Sequence, residues 1–113
     1  MQPVSYRARP VAMASAERFW LTDEIDALPT GDPLKTWVCF MCLYARDVLT
    51  GVLPAPYTNT NAERFAHAAL MPENSFRPLQ GLPDEWLAAH FNVPLEQIAE
   101  RRIHTTTQDK ELT

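Results

Sequence analysis

Two cysteines and three histidines are the residues of this chain best suited to metal or redox chemistry. Cys39 and Cys42 have the Cys-x-x-Cys spacing, but a zinc site of this type needs a second pair of ligands, and no other cysteine is present. A redox pair would need a thiol at a helix N-terminus, whereas these two lie in the middle of the apolar run 37–45. We therefore expect both cysteines to belong to the core.

The three histidines, His67, His90 and His104, could complete a Cys2His2 set only through the tertiary structure. Helical spacing places His67 on the side of its helix away from Phe65 and Ala69, which predicts a solvated side chain. His90 adjoins the apolar side of its helix, so we expect it to be packed rather than to bind metal.

The composition is that of one soluble domain. The chain has 113 residues, of which 46% are hydrophobic and 21% charged, with a net charge of −4. An acidic chain lacks the basic surface of a general nucleic-acid binder. The longest apolar run is shorter than the about 20 residues of a membrane span, and no secretory signal is visible. We expect a cytoplasmic protein without a membrane segment.

The apolar periodicity predicts a mainly α (α+β) fold in a single domain, 1–113. A central buried helix is expected at 33–50, with Asp32 as cap and Gly51 as left-handed terminator. An amphipathic helix follows at 60–71, and Asn59, Thr60 and Asn61 are its candidate caps.

The two ends of the chain give weaker signals. Residues 1–14 hold one or two short strands at most, and we expect little order there or in 104–113. Segment 15–28 fits a helix after Thr22 or a strand at 19–21, and both readings stay open. A terminal helical pair is expected at 84–91 and 95–103. Its inner residues are predicted to be Leu87, Phe91, Leu95, Ile98, Ala99 and Ile103 or Arg102.

Two stretches of this pattern resemble the closing part of the ImmA/IrrE metallopeptidase family. Residues 62–72 read AERFAHAALMP and residues 87–94 read LAAHFNVP, followed by Arg101-Arg102-Ile103. The resemblance covers residues 37–103, within a helical core at 33–103. It implies a zinc-binding His-Glu-x-x-His helix just upstream, at 39–49, and an acidic third ligand just before residue 62.

The residues at those positions depart from the family pattern. Leu43, Tyr44 and Asp47 stand where His, Glu and His are implied, and helix 39–49 contains no histidine. Asn59, Thr60 and Asn61 occupy the place of the acidic ligand, and Glu63 replaces an asparagine. A zincin needs two imidazoles one turn apart and a nearby carboxylate. We therefore expect no catalytic residue, no metal and no cofactor.

The resemblance then implies a non-catalytic relative that binds another protein, such as a repressor or an antitoxin, in a bacterial phage, mobile element or toxin–antitoxin system. An Arg46–Asp47 pair could bind a peptide terminus or only form surface contacts, and Phe40 or Tyr57 could fill the cleft instead. The candidate vestigial cleft consists of Leu43, Tyr44, Arg46, Asp47, Asn59, Asn61 and Glu63.

Two other classes of function compete with this interpretation. One is a peptidase with a rearranged metal site that uses Asp47, Glu63 and a histidine. The other is a helix-turn-helix DNA-binding regulator at 84–103, whose phosphate contacts would come from Arg101 and Arg102. Glu96 and Glu100 on the second helix oppose that reading.

Overall fold

A computed structural model describes the backbone of residues 1–112 and the side-chain surroundings of residues 1–103. The fold is mainly α with a three-stranded antiparallel sheet near the N-terminus, which confirms the predicted fold class. The chain forms two compact units, residues 1–66 and residues 67–113. Within the described part, no helix is both long and apolar enough to cross a bilayer.

The first unit begins with a sheet in the order β1–β2–β3. Its strands are β1 (Gln2–Tyr6), β2 (Arg9–Ala14) and β3 (Phe19–Leu21). Residues 1–14, for which we expected little order, thus form a hairpin whose inner face buries Val4 and Tyr6. Segment 15–28 contains both of the alternatives left open, because α1 (Asp23–Asp26) follows directly after β3.

The turn between β1 and β2 places two non-glycine residues in the left-handed region. Arg7 has φ 52° and Ala8 has φ 64°, a conformation that costs L residues about 1–2 kcal/mol each. Ala8→Gly should therefore raise the free energy of unfolding by about 1 kcal/mol, measured by urea denaturation.

Ala68→Gly is the matched control for this prediction, because Ala68 is exposed within a helix. There the same change should lower the free energy of unfolding by about 0.5–1 kcal/mol. If both variants changed the free energy of unfolding in the same direction, the strain attributed to the left-handed turn residues would be contradicted.

The central helix α2 (Pro33–Leu49) has the predicted bounds to within one residue. Asp32 Oδ1 accepts hydrogen bonds from the backbone N–H of Leu34 at 2.9 Å and of Lys35 at 3.2 Å. Gly51 ends the helix with φ 81°. The helix packs against β1 and β2, and its buried residues are Trp37, Val38, Met41, Cys42, Ala45 and Val48.

The spacing of Ala62, Phe65, Ala66, Ala69 and Leu70 predicts the buried face of the amphipathic helix α3 (Asn59–Leu70), and the structure buries a different face. Its fully buried residues are Ala62, Ala66 and His67, whereas Ala69 is exposed. The cap is also different, because Thr58 Oγ1 accepts a hydrogen bond from the N–H of Asn61 at 3.1 Å. Alanines make an apolar stripe too weak to fix the orientation of a helix, and the packing decides it.

The second unit contains α4 (Glu73–Phe76), a 3₁₀ turn (Arg77–Leu79), and the predicted helical pair α5 (Asp84–Phe91) and α6 (Leu95–Leu112). Asn92 makes the tight turn between the last two helices with φ 55°. The prediction for the inner side of α6 is wrong at three positions. Leu95, Ala99 and Ile103 are exposed, and the buried residues are Gln97, Ile98 and Arg101.

A frayed tail was predicted at 104–113. The backbone of α6 is helical up to Leu112, while the side chains of residues 104–113, including His104, lie outside the described residues.

Candidate functional site

The second half of α2 carries four residues of the candidate cleft, Leu43, Tyr44, Arg46 and Asp47, and all four are half-buried. Leu43 and Asp47 are four residues apart, so their side chains leave the same face of the helix. The positions at which the resemblance implies two imidazoles are therefore correctly spaced for a metal, but they carry an isobutyl group and a carboxylate.

Tyr44 contacts two other aromatic rings. Its ring centroid lies 5.8 Å from that of Tyr57 and 5.6 Å from that of Phe65, in tilted arrangements. Such geometry is favourable for ring pairs beyond the area that they bury. Tyr57, which was expected to be a possible filler of the cleft, thus packs against it, and Phe65 was not foreseen there.

Asn59 links this aromatic cluster of Tyr44, Tyr57 and Phe65 to the sheet through hydrogen bonds. Its Oδ1 accepts a hydrogen bond from the hydroxyl of Tyr57 at 2.8 Å and another from the backbone N–H of Ser5 at 3.3 Å. The role of helix cap, which we had predicted for this residue, belongs to Thr58. Asn61, the other candidate from this segment, is exposed and takes part through its backbone N–H. The segment in which an acidic metal ligand is implied therefore holds the connector 50–58, which joins α2 to α3 and contains Tyr57.

Arg46 and Asp47 close the C-terminal end of α2 through their carbonyl groups. The carbonyl of Asp47 accepts hydrogen bonds from the N–H groups of Val52 at 2.9 Å and Leu53 at 3.1 Å, and that of Arg46 accepts one from Thr50 at 2.9 Å. Within the described residues, no ion pair joins the Arg46 and Asp47 side chains. The two residues remain available for contact with another molecule through their half-buried side chains.

Burial dominates the electrostatics of the site. It raises the pKa of Tyr57 well above its usual value, and Cys42, Glu63 and Tyr44 add to the effect. Burial also raises the pKa of Cys42 from 9.0 to about 12, with a further contribution from Cys39. The pKa of Cys39 is raised by burial too, against an opposing effect of Lys35. Both thiols are thus protonated at neutral pH and poor nucleophiles. The prediction that both belong to the core holds for Cys42, which is buried, whereas Cys39 is half-buried.

These shifts predict a loss of stability in alkali. In the unfolded chain the Cys42 thiol ionises near pH 9.0, whereas in the folded chain it keeps its proton to about 12. Below pH 9.0 both states are protonated and the stabilisation is complete, and it is lost progressively as the pH rises through that window. The urea concentration at the unfolding midpoint should therefore decrease as the pH rises from 9.0 to about 12.

Cys42→Ala should make that pH dependence shallower than it is in the original chain. Tyr57→Phe is a second test, because the pKa of Tyr57 is raised in the same sense, and it is coupled to the first because Cys42 contributes to that rise. If neither variant changed the slope of the midpoint against pH, these two groups would not be its source.

Both described histidines differ from their predicted surroundings. His67 is buried, and its Nε2 donates a hydrogen bond to Gln97 Oε1 at 2.9 Å. This hydrogen bond replaces the one that the imidazole would make to water. Helical periodicity cannot predict such a partner, because Gln97 lies on another helix. His90 is exposed and stacks on Trp86, with centroids 4.7 Å apart and the ring planes 13° apart.

The two arginines required by the DNA-binding alternative are engaged within the second unit. Arg101 is buried, its Nε donates to the Met71 carbonyl at 3.1 Å, and its guanidinium lies 5.3 Å from the ring centroid of Phe76. Arg102 pairs with Asp84 at 2.9 Å and also donates to the carbonyls of Gln80 and Leu82. Phosphate contacts by either residue would break interactions that hold α6 in place.

The peptidase alternative needs metal ligands that converge. Among the residues described, no group of three or more histidine, cysteine, aspartate or glutamate side chains is placed to hold a metal ion. Asp47 and Glu63 therefore do not form a ready ligand set with a histidine of residues 1–103.

Comparison of the chain with protein-family models, with curated proteins and with solved structures gave no significant match. The resemblance to the ImmA/IrrE peptidases is therefore a prediction that depends on the residues quoted above.

Proposed function

We propose that this chain is a non-catalytic relative of the ImmA/IrrE metallopeptidases and acts as a protein-binding regulatory module. Its partner is a regulatory protein of the repressor or antitoxin kind, in a bacterial phage, mobile element or toxin–antitoxin locus. The binding surface is the vestigial cleft, in which α2 supplies Tyr44 and Asp47.

One observation carries the proposal. Tyr44, at the position of the implied catalytic glutamate, packs against the rings of Tyr57 and Phe65. A general base must be free to reach a metal-bound water, whereas this side chain stabilises the contact between α2, the connector and α3. The residue type and the packing of Tyr44 both favour a structural role at the position of the implied catalytic glutamate.

The surroundings of the cluster support the same proposal. Leu43 cannot coordinate a metal, and Asn59 uses its side-chain oxygen to hold Tyr57 and Ser5. Asp47 is three residues from Tyr44 and leaves the same side of α2, and Arg46 is likewise three residues from Leu43, so the residues of the cleft combine apolar area with both signs of charge. Aromatic side chains and arginine are enriched where proteins bind each other.

Metal content tests the non-catalytic half of the proposal. Protein purified without chelator, and protein dialysed against zinc and then against buffer, should both contain zinc far below one ion per chain. Stoichiometric zinc that survives dialysis would contradict the proposal and favour the rearranged peptidase site with Asp47 and Glu63.

Partner capture tests the binding half. The tagged chain is expressed in its native host, and the proteins that co-purify are compared with those captured by Tyr44→Ala/Asp47→Ala. Arg64→Ala, an exposed change on α3, is the matched control, and circular dichroism verifies the fold of each variant. We expect the double variant to lose a regulatory protein that the control retains. Equal capture by all three proteins would exclude the cleft as the working surface.

A further inference from the structure

The outer edge of β3 has no strand partner among the described residues. The sheet order β1–β2–β3 makes β1 and β3 its two edges, and Asn59 covers part of the β1 edge through its hydrogen bond to the N–H of Ser5. β3 has a single neighbour, β2, with Trp20 paired to Met13 and Phe19 to Ala14. An edge of this kind can pair with a further strand.

The hydrogen bonds around β3 show which peptide groups point outward. The N–H of Ser15 donates to the carbonyl of Arg18 at 2.7 Å, and the N–H of Thr22 donates to the carbonyl of Val11 at 3.0 Å. Because every second residue of an antiparallel strand bonds to the same neighbour, the peptide groups of Phe19 and Leu21 face away from β2. Within residues 1–112, no other group is hydrogen-bonded to them.

We propose that this edge pairs with the β3 edge of a second copy of the chain, in antiparallel orientation, to form a continuous six-stranded sheet. A two-fold axis at Trp20 pairs Phe19 of each copy with Leu21 of the other. Four backbone hydrogen bonds then satisfy all the outward peptide groups of these residues, and the interface is self-complementary.

The exposed face of the sheet fits such a pair. Trp20 and Met13 are neighbours across β2 and β3 on this face, with 40% and 36% of their surfaces exposed. The two-fold axis brings the Trp20 side chains of both copies together, which joins two apolar rows into one. Aromatic pairs opposite each other across strands stabilise sheets.

Charge favours a second copy in antiparallel orientation. Arg18 stands just before β3, and its guanidinium lies 4.7 Å from the ring centroid of Trp20. The other end of the strand leads into the acidic and exposed α1, with Asp23 and Asp26 and with Glu24, which pairs with Arg9 at 3.3 Å. Antiparallel pairing sets Arg18 of each copy near the acidic end of the other, twice by symmetry, whereas parallel pairing would align like charges.

The pairing involves a short strand. An interface centred on three residues is smaller than the about 1,200 Å² of a stable complex. We therefore expect a reversible dimer with a dissociation constant in the upper micromolar range. The dimer does not depend on the cleft described above or on the proposed function.

Sedimentation equilibrium from micromolar to millimolar chain concentration tests the association, with Trp20→Lys as the disrupting change. Two lysines facing each other across the two-fold axis should repel and keep the variant monomeric. Trp86→Lys is the matched control, because Trp86 is similarly exposed at 45% but lies on α5, and it should dimerise like the original chain.

Amide hydrogen exchange locates the contact. The N–H groups of Phe19 and Leu21 should exchange several-fold more slowly at millimolar than at micromolar concentration, whereas that of Trp20, already bonded to β2, should change little. A chain that stays monomeric throughout would overturn the proposal. Equal dimerisation of the two lysine variants, or protection of the Phe19 and Leu21 amides only by an added extended peptide, would overturn it as well.

Discussion

Leu43→His/Asp47→His should give this chain a zinc site, whereas in the original chain no group of three or more ligand side chains among the described residues is placed to hold a metal ion. The two positions are one turn apart on the same face of α2 and both are half-buried, which is the arrangement of the first two ligands of a zincin. The proposed resemblance implies an acidic third ligand from the segment around residue 62, and Glu63 is the carboxylate that we expect to supply it. We expect zinc binding with a micromolar or tighter dissociation constant by titration calorimetry, and no measurable binding by the original chain.

The control must show that zinc binding depends on the cleft and is not a property of any two histidines one helical turn apart. Trp86→His creates the same four-residue spacing with His90 on the exposed surface of α5. Adding Glu63→Gln to the double variant should weaken its zinc binding by about 10–100-fold. If the α5 pair bound zinc as tightly as the α2 pair, or if Glu63→Gln had no effect, the cleft would hold no third ligand.

Arg101→Met should cost the protein about 2–4 kcal/mol of unfolding free energy. Arg101 is buried, with 5% of its surface exposed, and burial lowers the pKa of its guanidinium while Glu73 opposes that shift. Methionine keeps the apolar volume of the side chain. It leaves the Met71 carbonyl without the Nε donor, and it removes the cation from the ring of Phe76.

Two further arginine variants complete that test, with urea denaturation as the measurement. Arg101→Lys keeps the charge but not the planar guanidinium, so its loss should be intermediate. Arg64→Met on the exposed side of α3 should change stability by less than about 0.5 kcal/mol. A loss at Arg101 no greater than at Arg64 would show that the buried guanidinium is dispensable and would reopen the DNA-binding interpretation.

Much of the backbone was predictable from local signals. Asp32 and Pro33 start α2, and Gly51 ends it, because a capping carboxylate, a fixed φ and a left-handed residue each act within a few residues. The same holds for the helical pair around Asn92. Where two local signals overlap, as in 15–28, the sequence could not choose between them, and the chain uses both in succession.

The candidate site was predictable in its positions and less so in its contacts. The spacing of Leu43 and Asp47 follows from helix geometry alone. That Asn59 holds Tyr57 and β1 instead of capping α3 depends on Ser5, which is 54 residues away along the chain. A periodic pattern in the sequence cannot predict a contact between residues so far apart. Thr58, one residue upstream, is the helix cap that Asn59 was expected to be.

By itself, the sequence determined the fold class, the bounds of the long helices and the chemistry that α2 cannot supply, because residue type and local periodicity are sufficient for these. The tertiary structure alone decided which side of α3 and α6 is buried. His67 and Arg101 are inside because Gln97 and the Met71 carbonyl offer them hydrogen bonds. Desolvation of a polar side chain is tolerated only where a partner is present, and the partner's position is a property of the packed chain.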